Sequence, residues 1–125
     1  MLKLDEIIAN TQRQRALREE HLSLDDLKRQ CENVPDPLRH PEEFLRSDGA
    51  TAVIAEIKRA SPWGVYSTTD DPAPLAQAFE RGGAAMLSVV TESSYFHGQY
   101  SDLARVKAAT SSPVLCKDII LSAYQ

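Results

Sequence analysis

The 125 residues are 42% hydrophobic and 26% charged, a balance that supports one modest folded domain and excludes a disordered chain. The net charge of −4, from 14 basic and 18 acidic residues, argues against nucleic-acid binding, which calls for a basic surplus or stripe. The longest near-continuous apolar run, Ala84 to Val90, is far too short for a bilayer, and Met-Leu-Lys-Leu-Asp-Glu at the start does not read as a secretory signal. The two cysteines, Cys31 and Cys116, fit neither a metal spacing nor a disulfide framework and read as reduced thiols of a cytosolic protein.

Charge is uneven along the chain. Residues 1–50 hold 8 basic and 11 acidic side chains, against 6 and 7 in residues 51–125. A polar leader therefore precedes a more apolar body. Leu4, Ile7, Ile8 and Thr11 follow helical spacing and give a first helix one stripe to bury. Ser23 reads as the N-cap of a second helix, with Asp25 and Asp26 at its positive end and Leu24 and Leu27 facing inward. Pro35 and Pro37 end it. Pro41, Glu42 and Glu43 suit the first turn of a third helix anchored by Phe44 and Leu45, and Ser47-Asp48-Gly49 closes the leader as a turn.

The body changes period. Thr51 to Lys58 is a β-rich run, followed by a loop from Ser61 to Asp71. Asp71-Pro72 places an N-cap and a first-turn proline before a helix with Leu75, Ala76 and Phe79 on its apolar face. Gly82-Gly83 ends that helix, because glycine tolerates the left-handed conformation. Ala84 to Thr91 reads as a strand buried on both faces. Leu103, Val106 and Ala109 mark another helix, Pro113 to Ile120 a third strand, and Ser122 a cap for a further helix that the chain ends before completing. The order β-α-β-α-β predicts a parallel α/β sheet with right-handed connections.

Period-two alternation puts Ile54, Glu56 and Lys58 on one face of the first strand, and Leu115 and Lys117 on one face of the third. Charges at the carboxyl ends of parallel strands lie where such folds bind ligands. From pattern alone, an edge-strand Glu–Lys pair and a lysine snorkelling from the sheet are competing readings. Two strands that each end in lysine favour an anionic ligand, and a lysine in a dry site serves as a general acid or an anion contact. Ser61 and Trp63 follow the first strand and Phe96 the second, on the same ligand side. His21, His40 and His97 show no triad or ligand spacing, and Gly82-Gly83 is a turn, not a phosphate loop.

The run Ala55-Glu56-Ile57-Lys58-Arg59-Ala60-Ser61-Pro62 resembles the first barrel strand and loop of indole-3-glycerol phosphate synthase. Asp71-Pro72, Gly82 to Val89, Tyr95-Phe96-His97-Gly98 and Pro113 to Asp118 continue the resemblance in order and spacing, and the leader is similar to the family's extra N-terminal helices. The resemblance implies an α/β fold: a partial (β/α)8 TIM barrel of the first three β-strands, residues 51–125, after an N-terminal helical extension, residues 1–50. It implies the tryptophan-pathway reaction, in which the indole ring of 1-(2-carboxyphenylamino)-1-deoxyribulose 5-phosphate closes with loss of carbon dioxide and water. No metal or organic cofactor is implied. Lys117 would be the general acid at the substrate carbonyl. Lys58 would pair with the substrate's anionic groups, and Glu56 would orient both lysines. Ser61 and Phe96 would hold the substrate, and Trp63 would line the same mouth near Phe96.

The chain departs from the family pattern at Trp63, where a small residue is usual, and at Ile119, where phenylalanine is common. A complete (β/α)8 barrel takes roughly 250 residues, so the expectation is an N-terminal fragment, inactive alone. It would lack the second-half carboxylate and the glycine-rich phosphate loops. Two other classes compete. One is a non-catalytic partial-barrel module that self-associates or docks through open sheet edges. The other is a small independent α/β enzyme that reuses Glu56, Lys58 and Lys117 on another anion.

Overall fold

A computed structural model of the chain describes residues 4–32, 40–46 and 51–125. It divides into two compact units, Met1–Pro37 with Ile119–Gln125, and Leu38–Asp118. The helix stop at Pro35 and Pro37 and the turn at Ser47-Asp48-Gly49 lie outside the described residues.

In the first unit, helix α1 runs Leu4–His21 and α2 runs Leu24–Cys31. Thr11 is buried and Ile7 and Ile8 half-buried, but Leu4, on the opening turn, is 63% exposed. Ser23 caps α2 as its sequence predicts. Its Oγ accepts from the Asp26 N–H at 3.1 Å, and its own N–H donates to the Asp26 carboxylate at 3.3 Å. That reciprocal box satisfies donors a helix start otherwise leaves free. Of the two leucines expected inside, Leu27 is half-buried and Leu24 exposed, because cover reaches only one end of this two-turn stripe. Residues 122–125 form a turn in which the Gln125 N–H donates to the Ser122 carbonyl at 3.3 Å, three residues back instead of four.

The second unit carries α3 (Pro41–Leu45), whose expected anchors Phe44 and Leu45 are both more than a third exposed. One and a half turns give neither residue a neighbour on all sides. Strand β1 (Ile54–Ile57) follows. The stretch expected as plain loop contains a small antiparallel pair, β2 (Ala60–Ser61) with β3 (Gly64–Val65). Then come α4 (Ala73–Arg81), β4 (Met86–Val90), α5 (Ser101–Ala109) and β5 (Val114–Lys117). The Asp71 carboxylate accepts from the Ala73 N–H at 3.0 Å and so opens α4. Of the two glycines that close it, Gly83 takes the left-handed φ of +90° and Gly82 stays right-handed.

The sheet order is β1-β4-β5, all parallel. β4, the most apolar of the three runs, lies in the middle and is buried along its whole length. Register puts Ala55, Leu87 and Val114 in one row and Ile57 and Val89 in another. These rows meet Ala76 and Phe79 of α4 and Leu103 and Val106 of α5. Burying a side chain such as Leu87 stabilises by about 1.5–3 kcal/mol. The opposite face carries Ile54 beside Met86, then Glu56, Ser88 and Leu115, then Val90 beside Lys117. One layer of helices on one face of a parallel sheet is an open arc of a (β/α)8 barrel.

Candidate active site

Glu56, Lys58 and Lys117 come together at the carboxyl ends of β1 and β5. Lys117 Nζ donates to Glu56 Oε2 at 2.5 Å, and Lys58 Nζ stands 3.4 Å from Glu56 Oε1. β1 and β5 flank β4, so they lie about 10 Å apart; only long side chains can bridge them, and the Glu56–Lys117 pair does so across β4. Burial alone would raise the Glu56 carboxyl. The hydrogen bond and charge of Lys117, then those of Lys58, outweigh it and hold the group below its ordinary value. Lys58 Nζ also lies 5.3 Å from the centre of the Tyr66 ring, a cation–π contact. Cys116, one residue before Lys117, is in register with Val89 on the other face.

Ser61 is buried, and its Oγ is spoken for. It shares a hydrogen bond of 2.7 Å with the Tyr66 hydroxyl and accepts from the Trp63 N–H at 3.2 Å. Trp63 is not packed into the body of the protein. It sits at the turn between β2 and β3 with 84% of its surface exposed, because a two-residue turn points its side chains away from the sheet. Phe96 is half-buried, and its carbonyl accepts from the Ala60 N–H at 3.1 Å. The loops after β1 and β4 are thus tied by their backbones.

Five residues with no role assigned from the sequence shape this end of the sheet. Arg59 and the fully buried Asp102 form a two-pronged ion pair, and Arg59 also donates to the Thr69 and Asp70 carbonyls at 3.0 and 2.9 Å. Glu92 is buried and accepts the N–H groups of Ser94, Tyr95 and Phe96 at 3.0, 2.7 and 3.1 Å. Tyr66 holds Ser61. Gly98 follows His97, which takes a left-handed φ of 56°. A Cβ on Gly98 would run into the Val90 carbonyl and the Thr91 backbone. The acid in the first turn of α5 was the one local signal available for Asp102.

A cavity of about 530 Å³ opens beside the carboxyl end of β1, lined by Lys58, Arg59, Tyr66, Thr69, Asp71 and Leu75 among others. Among the described residues, no cluster of His, Cys, Asp and Glu is arranged to hold a metal ion. None of the described helices is long and apolar enough to cross a membrane.

A parallel β/α arc that gathers a carboxylate between two ammonium groups at its strand ends has the architecture of part of a (β/α)8 barrel protein. The family model for indole-3-glycerol phosphate synthase matches residues 4–125, and the chain belongs to that family. It is 47% identical over 123 residues to an indole-3-glycerol phosphate synthase of Mycolicibacterium vanbaalenii, covering 98% of this chain and 44% of that protein. It is 45% identical over 126 residues to the enzyme of that name from a Nocardioides species, covering 100% of this chain and 48% of that protein. The chain spans less than half the length of these relatives.

Proposed function

We propose that this chain supplies the first arc of an indole-3-glycerol phosphate synthase active site, with residues 1–50 as a helical extension and 51–125 as the barrel portion. The reaction closes the indole ring of 1-(2-carboxyphenylamino)-1-deoxyribulose 5-phosphate. The observation that carries the reading is the Glu56 carboxylate held between Lys58 and Lys117 at the ligand end of the sheet. As the ring carbon bonds to the carbonyl carbon, Lys117 gives a proton to the carbonyl oxygen, which becomes a hydroxyl. The carboxylate then leaves as carbon dioxide, its electron pair returning to the ring; the hydroxyl leaves as water as it takes up a second proton and the adjacent carbon gives one up, transfers in which Lys58 and Glu56 take part. An ammonium aimed at that oxygen lowers the barrier because it meets charge where charge develops. Lys58 pairs with the substrate's anionic groups, and Glu56 keeps both lysines aimed. Phe96 and Ser61 bound the substrate, and Trp63, largely exposed, folds onto it. The partner is a small phosphorylated anion rather than nucleic acid, and the setting is cytoplasmic.

A second reading, self-association or docking of a partial barrel, is favoured by Ile54 and Leu115, 46% and 43% exposed on the site face, and by β1 and β5, each paired on one side only among the described residues. The test is indole fluorescence on adding the carboxyphenylamino-deoxyribulose phosphate. A polypeptide that continues this segment to the relatives' full length turns it over, and Lys117→Ala lowers kcat by about 10³-fold. The 125 residues alone do not turn it over usefully, since catalysis needs all its groups in one fixed geometry. Robust turnover that survives Lys117→Ala overturns the reading.

A further inference from the structure

Ser88 lies at the centre of β4, in register with Glu56 on one side and Leu115 on the other. It is only 4% exposed, and its hydroxyl has no hydrogen-bond partner among the described residues. Its neighbours on this face, Ile54 and Leu115, are open. The Glu56–Lys117 pair reaches from the level of Ser88 on β1 to the level of Val90 on β5. A buried hydroxyl left without a partner is unfavourable and calls for an explanation.

The groups that face Glu56 supply one. Lys58 takes Oε1 from the end of the same strand, Lys117 takes Oε2 from β5, and Ser88 stands opposite on β4. While Lys117 occupies Oε2, the Ser88 hydroxyl is idle. When Lys117 turns toward a ligand, Oε2 loses its partner, and a hydroxyl free to rotate is the adjacent donor. We propose that Ser88 is a positioning residue that replaces Lys117 as hydrogen-bond donor to the Glu56 carboxylate whenever Lys117 swings away. The exchange holds Glu56 ionised and fixed in place through the step that uses the lysine. It also removes the unpaired hydroxyl, so the opened state gains a hydrogen bond that the closed state lacks. The catalytic meaning of the exchange rests on Lys117 being the acid; the exchange itself does not.

The experiment follows the Glu56 carboxyl by carbon-13 NMR in the purified 125-residue chain, its signal assigned through Glu56→Gln. With Lys117 present, Ser88→Ala leaves the titration midpoint of Glu56 unmoved. In a Lys117→Met background, Ser88→Ala raises the midpoint by about one pH unit. Ser88→Thr, which keeps a hydroxyl, holds the midpoint of the Lys117→Met chain where serine does, and this guards against a packing defect in the alanine variant. Equal shifts in both backgrounds, no shift in either, or failure of threonine to match serine overturns the proposal. If the exchange is observed while Lys117→Ala keeps full turnover in the longer polypeptide, the exchange stands and the reading of Lys117 as acid falls.

Discussion

Each end of the parallel sheet holds a glutamate on which several donors converge, and the donors differ in kind. At the amino-terminal end of β5, Glu80 Oε1 accepts four hydrogen bonds of 2.8–2.9 Å, from the N–H and hydroxyl of both Ser111 and Ser112. At the carboxyl end of β1, Glu56 accepts from two lysines. Both carboxyls sit below their ordinary range, Glu80 through the hydroxyls of Ser112 and Ser111, Glu56 through Lys117 and Lys58 against the effect of burial. Short neutral donors fixed to the backbone make a latch that ties α4 to the start of β5. Long ammonium side chains make a contact that can be re-aimed. The same acid is therefore structural at one end and available for chemistry at the other, as barrel folds divide stability from catalysis.

That contrast can be broken in four ways. The largest effect tests whether the ligand end also has a fixed framework. Asp102→Ala strands the Arg59 guanidinium, and removing one member of a buried ion pair costs about 3–5 kcal/mol; urea denaturation measures it. Next is the latch. Glu80→Gln loses the charge that strengthens its four bonds and lowers the melting temperature by about 5 °C, while the Glu56 titration stays as it was. A shift in Glu56 would couple ends that the contrast keeps apart.

The third is acid unfolding. Both glutamates have depressed values in the folded state. The stability they contribute is therefore complete above the unfolded-chain carboxylate pKa, about 4.3, and is lost as pH falls through the folded values. Lys117→Met removes part of this acid dependence and Glu80→Gln another part, read as a flatter stability–pH curve below that point. The smallest effect is at Trp63. Trp63→Ser changes stability by no more than about 0.5 kcal/mol, measured by the same denaturation, because the residue is 84% exposed.

What the sequence made legible was local or periodic. Alternation alone placed Glu56 and Lys117 on one face and Cys116 on the other, since a one-residue shift would turn the apolar rows of β1 and β5 out of the core. Ser23 and Asp71 were readable because caps act within three residues. The Arg59–Asp102 pair was not, because its partners are 43 residues apart and meet only once two β-α units have packed. Leu24 and Phe44 failed for a related reason. Hydrophobic character says that a side chain gains from cover, but short helices do not always supply it.

Gly98 carries one more consequence, for anyone who would vary this chain. At Gly83 a side chain would meet open space, and the objection to it is the torsion. At Gly98 the objection is the backbone itself, since the Val90 carbonyl and Thr91 already occupy the volume a methyl group would need. A codon-randomised library should therefore treat the two positions differently. Position 83 grades its substitutions, with asparagine and aspartate ahead of β-branched residues. Position 98 behaves as a single-letter position, where every replacement has to lift the Phe96 loop off the end of β4.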